Sequence, residues 1–85
     1  MARELHISSL VVHARPEALA RIRPALTRLA GVEIHAEAPN GKMVITLETE
    51  SEQTIVEHIN TISLLDGVLA ATLVFHHVED LTEAE

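Results

Sequence analysis

The sequence predicts an α+β domain of β-α-β-β-α-β order, with a four-stranded antiparallel sheet and two helices on one face. Three observations predict it. Four segments read as strands, the middle two by clean alternation of apolar and polar residues. Two segments carry apolar residues at helical spacing. The two halves also repeat: Leu19, Leu26, Leu29, Gly31 and Val32 recur 36 positions later as Ile55, Ile62, Leu65, Gly67 and Val68.

Residues 5–12 are apolar and β-branched enough for a first strand. Over residues 16–30, Leu19, Ile22, Leu26 and Leu29 fall on one helical face. Pro16 suits a first helical turn, where a missing N–H costs nothing, and Gly31 suits the exit. Pro24 removes an internal hydrogen bond, so a kink or irregular turn is expected there. Residues 32–38 alternate Val32, Ile34, Ala36 against Glu33, His35, Glu37. Pro39-Asn40-Gly41 then reads as a hairpin turn in which Asn-Gly supplies positive φ angles. Residues 42–48 alternate again, with Met43, Ile45 and Leu47 on one side. A second helix begins near Ser51; Thr49 and Glu52 have capping-box spacing, and Ser51 is the alternative cap. Ile55, Ile59, Ile62 and Leu65 form its stripe, Asp66-Gly67 ends it, and residues 68–77 form the last strand. Residues 1–78 make a single ferredoxin-like domain, with the first and third strands central and the fourth flanking the first. Residues 79–85 are read as an acidic, frayed tail.

The alternation also assigns faces. Met43, Ile45 and Leu47 turn toward the helices with Val32, Ile34 and Ala36. Carrying the 36-residue repeat onto the outer halves puts Ile7, Ser9 and Val11 inward, with Val68, Ala70, Thr72 and Val74. The uncovered face would then hold His6, Ser8, Leu10 and Val12 beside Leu69, Ala71, Leu73 and Phe75. Glu33, His35, Glu37, Val44, Thr46 and Glu48 would occupy its other half. Such a face is apolar on one side and acidic on the other. A contiguous exposed apolar area marks an interaction site, either for another protein or for a second copy through the sheet. The runs Leu10-Val11-Val12 and Leu73-Val74-Phe75 do not fix the register alone, and a one-residue slip exchanges the two faces.

Composition narrows the partner. The 85 residues include thirteen Asp and Glu against six Lys and Arg, a formal net charge of −7. That balance disfavours nucleic acid and anionic membrane surfaces and favours a cationic partner. Phe75 is the sole aromatic among Phe, Tyr and Trp, so base-stacking platforms are lacking. Without cysteine there is no disulfide, CxxC pair or thiolate metal site. Glu4, His6, Ser8 and Ser9 interrupt the N-terminal apolar stretch and no run reaches membrane-span length, so a cytoplasmic location is expected.

Catalytic signals are weak. Ser8, Ser9, Ser51 and Ser63 lack a Gly-x-Ser-x-Gly setting, and three isolated glycines form no phosphate loop. The carboxylates fall where solvated faces are expected. A fourth strand antiparallel to the first brings His6 near His76 or His77, a pattern that could hold Zn²⁺ or Ni²⁺. Surface histidines at strand ends are the reading preferred here, so no metal, cofactor or catalytic residue is assigned.

With these residues placed, the chain resembles the NapD family over nearly its whole length. The resemblance rests on Ser8-Ser9-Leu10-Val11-Val12, on Leu29-Ala30-Gly31-Val32-Glu33 and on Asn40-Gly41-Lys42. The segment from Asp66-Gly67-Val68 through Leu73-Val74-Phe75-His76 matches most closely. Pro24 departs from the pattern. The resemblance implies a cytoplasmic maturation chaperone of the periplasmic nitrate reductase. Such a chaperone binds the twin-arginine signal peptide of the catalytic subunit, which carries the molybdenum cofactor and an iron–sulfur cluster. Export then waits until the cofactor is inserted, and the chaperone itself holds no cofactor and catalyses nothing. A cationic end followed by an apolar stretch would match a face with an acidic and an apolar half. On that face Leu10, Val12, Leu73 and Phe75 are expected to make apolar contacts. Glu33, Glu37 and Glu48 are expected to meet the arginines, and Ser8 to add a hydrogen bond. Two other readings suit the same fold. One is a small-molecule sensor dimerising through its sheet, with Gly31 and Gly67 lining a ligand site. The other is a module that only scaffolds its own oligomer, so monomer and homodimer both stay open.

Overall fold

The computed structural model describes residues 3–81. Its elements follow the expected order: β1 (Glu4–Ala14), α1 (Leu19–Thr27), β2 (Val32–Glu37), β3 (Lys42–Thr49), α2 (Glu52–Ser63) and β4 (Val68–Asp80). A 3₁₀ turn over Pro16–Ala18 leads into α1. The strands pair antiparallel in the order β2-β3-β1-β4, so β1 and β3 are central as expected.

Helix entry and exit follow local chemistry. Pro16 opens the 3₁₀ turn, and α1 runs unbroken through Pro24, so the irregularity lies ahead of the helix and not at its proline. For α2 the cap is Ser51, whose Oγ accepts the Thr54 N–H at 3.4 Å. Thr49 instead braces the approach: its hydroxyl donates to the Ser51 carbonyl at 2.7 Å. The β2–β3 turn also differs from expectation. Gly41 alone in it has positive φ, at 101°, so Asn40 does not. The Gly41 N–H reaches the Ala38 carbonyl at 3.0 Å, and Asn40 Oδ1 accepts the Lys42 N–H at 3.1 Å. Pro39 and Gly41 thus shape a turn over Ala38-Pro39-Asn40-Gly41 with a glycine at its end.

The core lies between the sheet and the helices. Met43, Ile45 and Leu47 from β3 and Ile22, Leu26, Ile55 and Ile62 from the helices are essentially inaccessible. From β1, however, the buried residues are Ser8, Leu10, Val12 and Ala14. The register explains it: Leu10 lies opposite Ile45, Val12 opposite Met43 and Ser8 opposite Leu47. Residues directly opposite share a face, so the even-numbered positions of β1 point to the helices and Ile7, Ser9 and Val11 point away. The face assignment drawn from the 36-residue repeat is one residue out of phase on β1.

β4 departs for a different reason. Its pairing with β1 shifts twice: Leu69 and Val74 each stand as an extra residue against the continuous β1 strand. Each inserted residue reverses the alternation that follows it. Val68 faces the helices and Phe75 faces away, both as expected, but Ala71 and Leu73 face the helices and Ala70 and Thr72 face away. A third shift, at His35 in β2, sets Ala36 opposite Val44 and Glu37 opposite Met43. The strand also outruns its expected end: Glu79 and Asp80 pair with Leu5 and Glu4, and the Leu81 N–H reaches the Arg3 carbonyl at 2.9 Å. Residues 79 and 80, expected in a frayed tail, thus belong to β4, and residues 82–85 of that expected tail lie outside the described residues.

Candidate functional site: the open face of the sheet

Pairing across the four strands lays out the uncovered face in rows. Ala36, Val44, Val11 and Thr72 make one row, and Glu33, Thr46, Ser9 and Phe75 the next. Glu48, Ile7 and His77 make a third. Both helices pack on the opposite side, where the buried core lies. Phe75 is 57% exposed and Val44 37%, while Ile7 and Val11 in the centre are half-buried by their neighbours. The Phe75 and His77 rings stack at 6.4 Å between centroids, widening the flat apolar surface. Glu33 and Glu48 lie exposed on the β2–β3 half. On the same half His35 Nε2 sits 2.8 Å from Thr46 Oγ1 and 4.0 Å from Glu33 Oε1.

Of the eight residues singled out from the sequence, this face gathers three: Phe75, Glu33 and Glu48. Ser8, Leu10 and Val12 are 0% exposed beneath the helices and cannot touch a docked partner. Ser8 keeps a polar role inside: its hydroxyl lies 2.7 Å from His76 Nδ1, which satisfies it in the core. Leu73 lies opposite Leu10 and so belongs to the helix side, where it is 48% exposed beyond the reach of the core. Glu37 is turned to the helix side by the shift at His35. There it forms a two-pronged ion pair with Arg23 of α1, at 2.6 and 3.1 Å. That hydrogen bonding holds the Glu37 carboxyl below its ordinary range.

The face also includes residues the sequence did not single out: Ile7, Val11, Thr72 and His77. The signal that would have found them is Ala14. A small apolar residue in phase with Leu10 and Val12 extends the helix-facing set. The polar His6 and Ser8 in the same phase hid it. His6 is buried with Nε2 3.3 Å from Glu4 Oε1, its ring 5.5 Å from that of His76.

Gly31 and Gly67 line no cavity on the face. A Cβ on Gly31 would fall 2.1 Å from the Glu48 carbonyl, and one on Gly67 2.5 Å from the Ala18 Cβ. Both glycines serve close packing beside strand starts. Among the described residues no helix is long and apolar enough to cross a membrane.

Comparison with known proteins agrees with this architecture. A family model described as NapD protein matches residues 5–80. The Chaperone NapD of Escherichia coli (strain K12) is 33% identical over 78 residues, covering 91% of this chain and 90% of that one. The Chaperone NapD of Paracoccus pantotrophus is 38% identical over 84 residues, covering 99% of this chain and 74% of that one. The solution structure of the E. coli Tat proofreading chaperone protein NapD aligns with a TM-score of 0.78 at 29% identity, over 95% of this chain and 85% of that one.

Proposed function

The chain belongs to the NapD family, whose members are chaperones and not enzymes, and from that premise we propose that it binds a twin-arginine signal peptide on the open face of its sheet. The client is the catalytic subunit of the periplasmic nitrate reductase, and the binding takes place in the cytoplasm. While the chaperone holds the signal, the export machinery has no free signal to engage, so export waits for insertion of the molybdenum cofactor. The delay needs no chemistry from the chaperone. It follows from mass action: a bound signal is withdrawn from competing receptors in proportion to its occupancy.

The observation that carries this reading is the uncovered sheet face with an apolar centre and two carboxylates on one half. An amphipathic or apolar helix laid on such a surface is a known recognition mode. Ile7, Val11, Val44 and Phe75 supply the apolar floor. Glu33 and Glu48 supply charge for the arginine pair, and Arg can meet a carboxylate with two parallel hydrogen bonds. Ser9 and Thr46 offer hydroxyls between the two halves.

The test compares the two faces. An Ile7→Ala/Phe75→Ala variant removes floor from the open face, and a Leu73→Ala variant trims the helix side. In folded proteins, the first is expected to lose most of its affinity for the signal peptide and the second to keep it. Equal loss in both, or loss only in the second, contradicts the assignment of the face.

A further inference from the structure

The charges of the open face are sorted along the strands. Beyond the row of Ala36, Val44, Val11 and Thr72, the register gives a further row of Lys42, His13 and Ala70, all exposed. Lys42 and Glu48 therefore stand on the same side of β3 at opposite ends of the face. Among the described residues neither enters an ion pair. The rows that separate them on β3, β1 and β4 hold the uncharged Val44, Thr46, Val11, Ser9, Thr72 and Phe75. At about 3.4 Å per strand residue, the two poles lie about 20 Å apart. That is the length of about 13 residues of α-helix.

We infer that Lys42 and His13 receive the C-terminal end of the bound signal helix. The inference rests on the peptide-binding reading above and gives that peptide a direction. A helix ends on carbonyls without internal partners, and its dipole sets partial negative charge there. Lysine and histidine side chains near such an end can donate to those carbonyls. The helix start carries the opposite partial charge, and in a twin-arginine signal the arginines precede the apolar stretch. Dipole and arginines therefore both favour Glu33 and Glu48 at the start of the helix. Turned the other way, the arginines would meet Lys42 and the last carbonyls would meet carboxylates, so both effects oppose that direction. The poles lie at opposite ends of the strands, so a helix that reaches both lies along them. It runs with β1 and against β3 and β4, with Val11, Val44 and Phe75 under its apolar side. The face thereby measures its client: about 13 residues separate the arginines from the last helical turn.

The test uses the full chain, isotope-labelled for amide spectra. Its probe is the twin-arginine signal peptide of a periplasmic nitrate reductase, carrying a nitroxide at one or the other end of its apolar stretch. The label beside the arginines is expected to broaden the amides of Glu33 and Glu48, and the label at the far end those of His13 and Lys42. Peptide affinity is expected to fall about two- to fivefold in Lys42→Gln, the size of one charge lost from a helix end. Lys42→Glu should fall further, and should recover toward a peptide with a lysine at the far end of its apolar stretch. The reversed broadening pattern, equal broadening of both ends by either label, or unchanged affinity in Lys42→Glu overturns the inference while leaving the peptide on this face. A peptide that shifts no amide of the face overturns the peptide-binding reading itself, and the inference with it.

Discussion

At the scale of single residues, the central fact is that Leu10 and Val12 are core and Phe75 is surface. Leu10→Ala should cost about 2–5 kcal/mol, the range for truncating a fully buried leucine. Chemical denaturation would measure it. The loss should appear as stability and not as peptide affinity once the protein is folded. Phe75→Ala should reverse that pattern, lowering peptide affinity with little change in the denaturation midpoint. Glu37 makes a separate prediction. Its hydrogen bonds from Arg23 depress its carboxyl, so the folded state holds this proton less tightly than the unfolded chain does. The stabilisation is fully present above the unfolded carboxylate range and is lost as pH falls through the depressed value. Wild type should therefore exceed Glu37→Gln in stability at neutral pH. The difference should shrink from about pH 5 downward. A difference that grows toward acid would contradict the ion pair's role.

At the scale of elements, capping and register do most of the work. Ser51→Ala removes the one side-chain cap of α2 and should cost about 1 kcal/mol, read from thermal or denaturant unfolding. Gly31→Ala should cost more, because the added methyl meets the Glu48 carbonyl at 2.1 Å where β2 begins. The elements themselves were legible in the sequence. Helical stripes ending in Asp66-Gly67 or Ala30-Gly31, and alternation at residues 32–38 and 42–48, needed no tertiary information. The faces of the first and last strands were not legible. Leu10-Val11-Val12 and Leu73-Val74-Phe75 are apolar in both phases, and only the pairing of Leu10 with Ile45 decides between them. The extra residues at Leu69 and Val74 leave no mark in composition, since a bulge in an edge strand costs no polar residue. Glu37 left the acidic half through a similar shift at His35. Arg23, fourteen residues away in sequence, received it on the other side of the sheet.

At the scale of the whole molecule, one layer closes the core and the other face is left for a partner. An 85-residue chain with net charge −7 is suited to attract a cationic segment. Glu33 and Glu48 stand where that attraction is useful on the open face. Exposed charges act mainly through encounter and orientation, and salt screens them. Raising ionic strength should therefore slow association with the signal peptide, while the apolar floor keeps dissociation largely unchanged. A Glu33→Gln/Glu48→Gln variant should lose most of that salt dependence in stopped-flow measurements.

The most direct test is calorimetric titration of the protein with the twin-arginine signal peptide of a periplasmic nitrate reductase, beside the same peptide with both arginines replaced by glutamine. Tight binding is expected to the first, clearly weaker binding to the second, and little distinction between them in the Glu33→Gln/Glu48→Gln variant. Absence of heat and of competition at high micromolar peptide would contradict it, as would equal affinity of the wild-type protein for the two peptides.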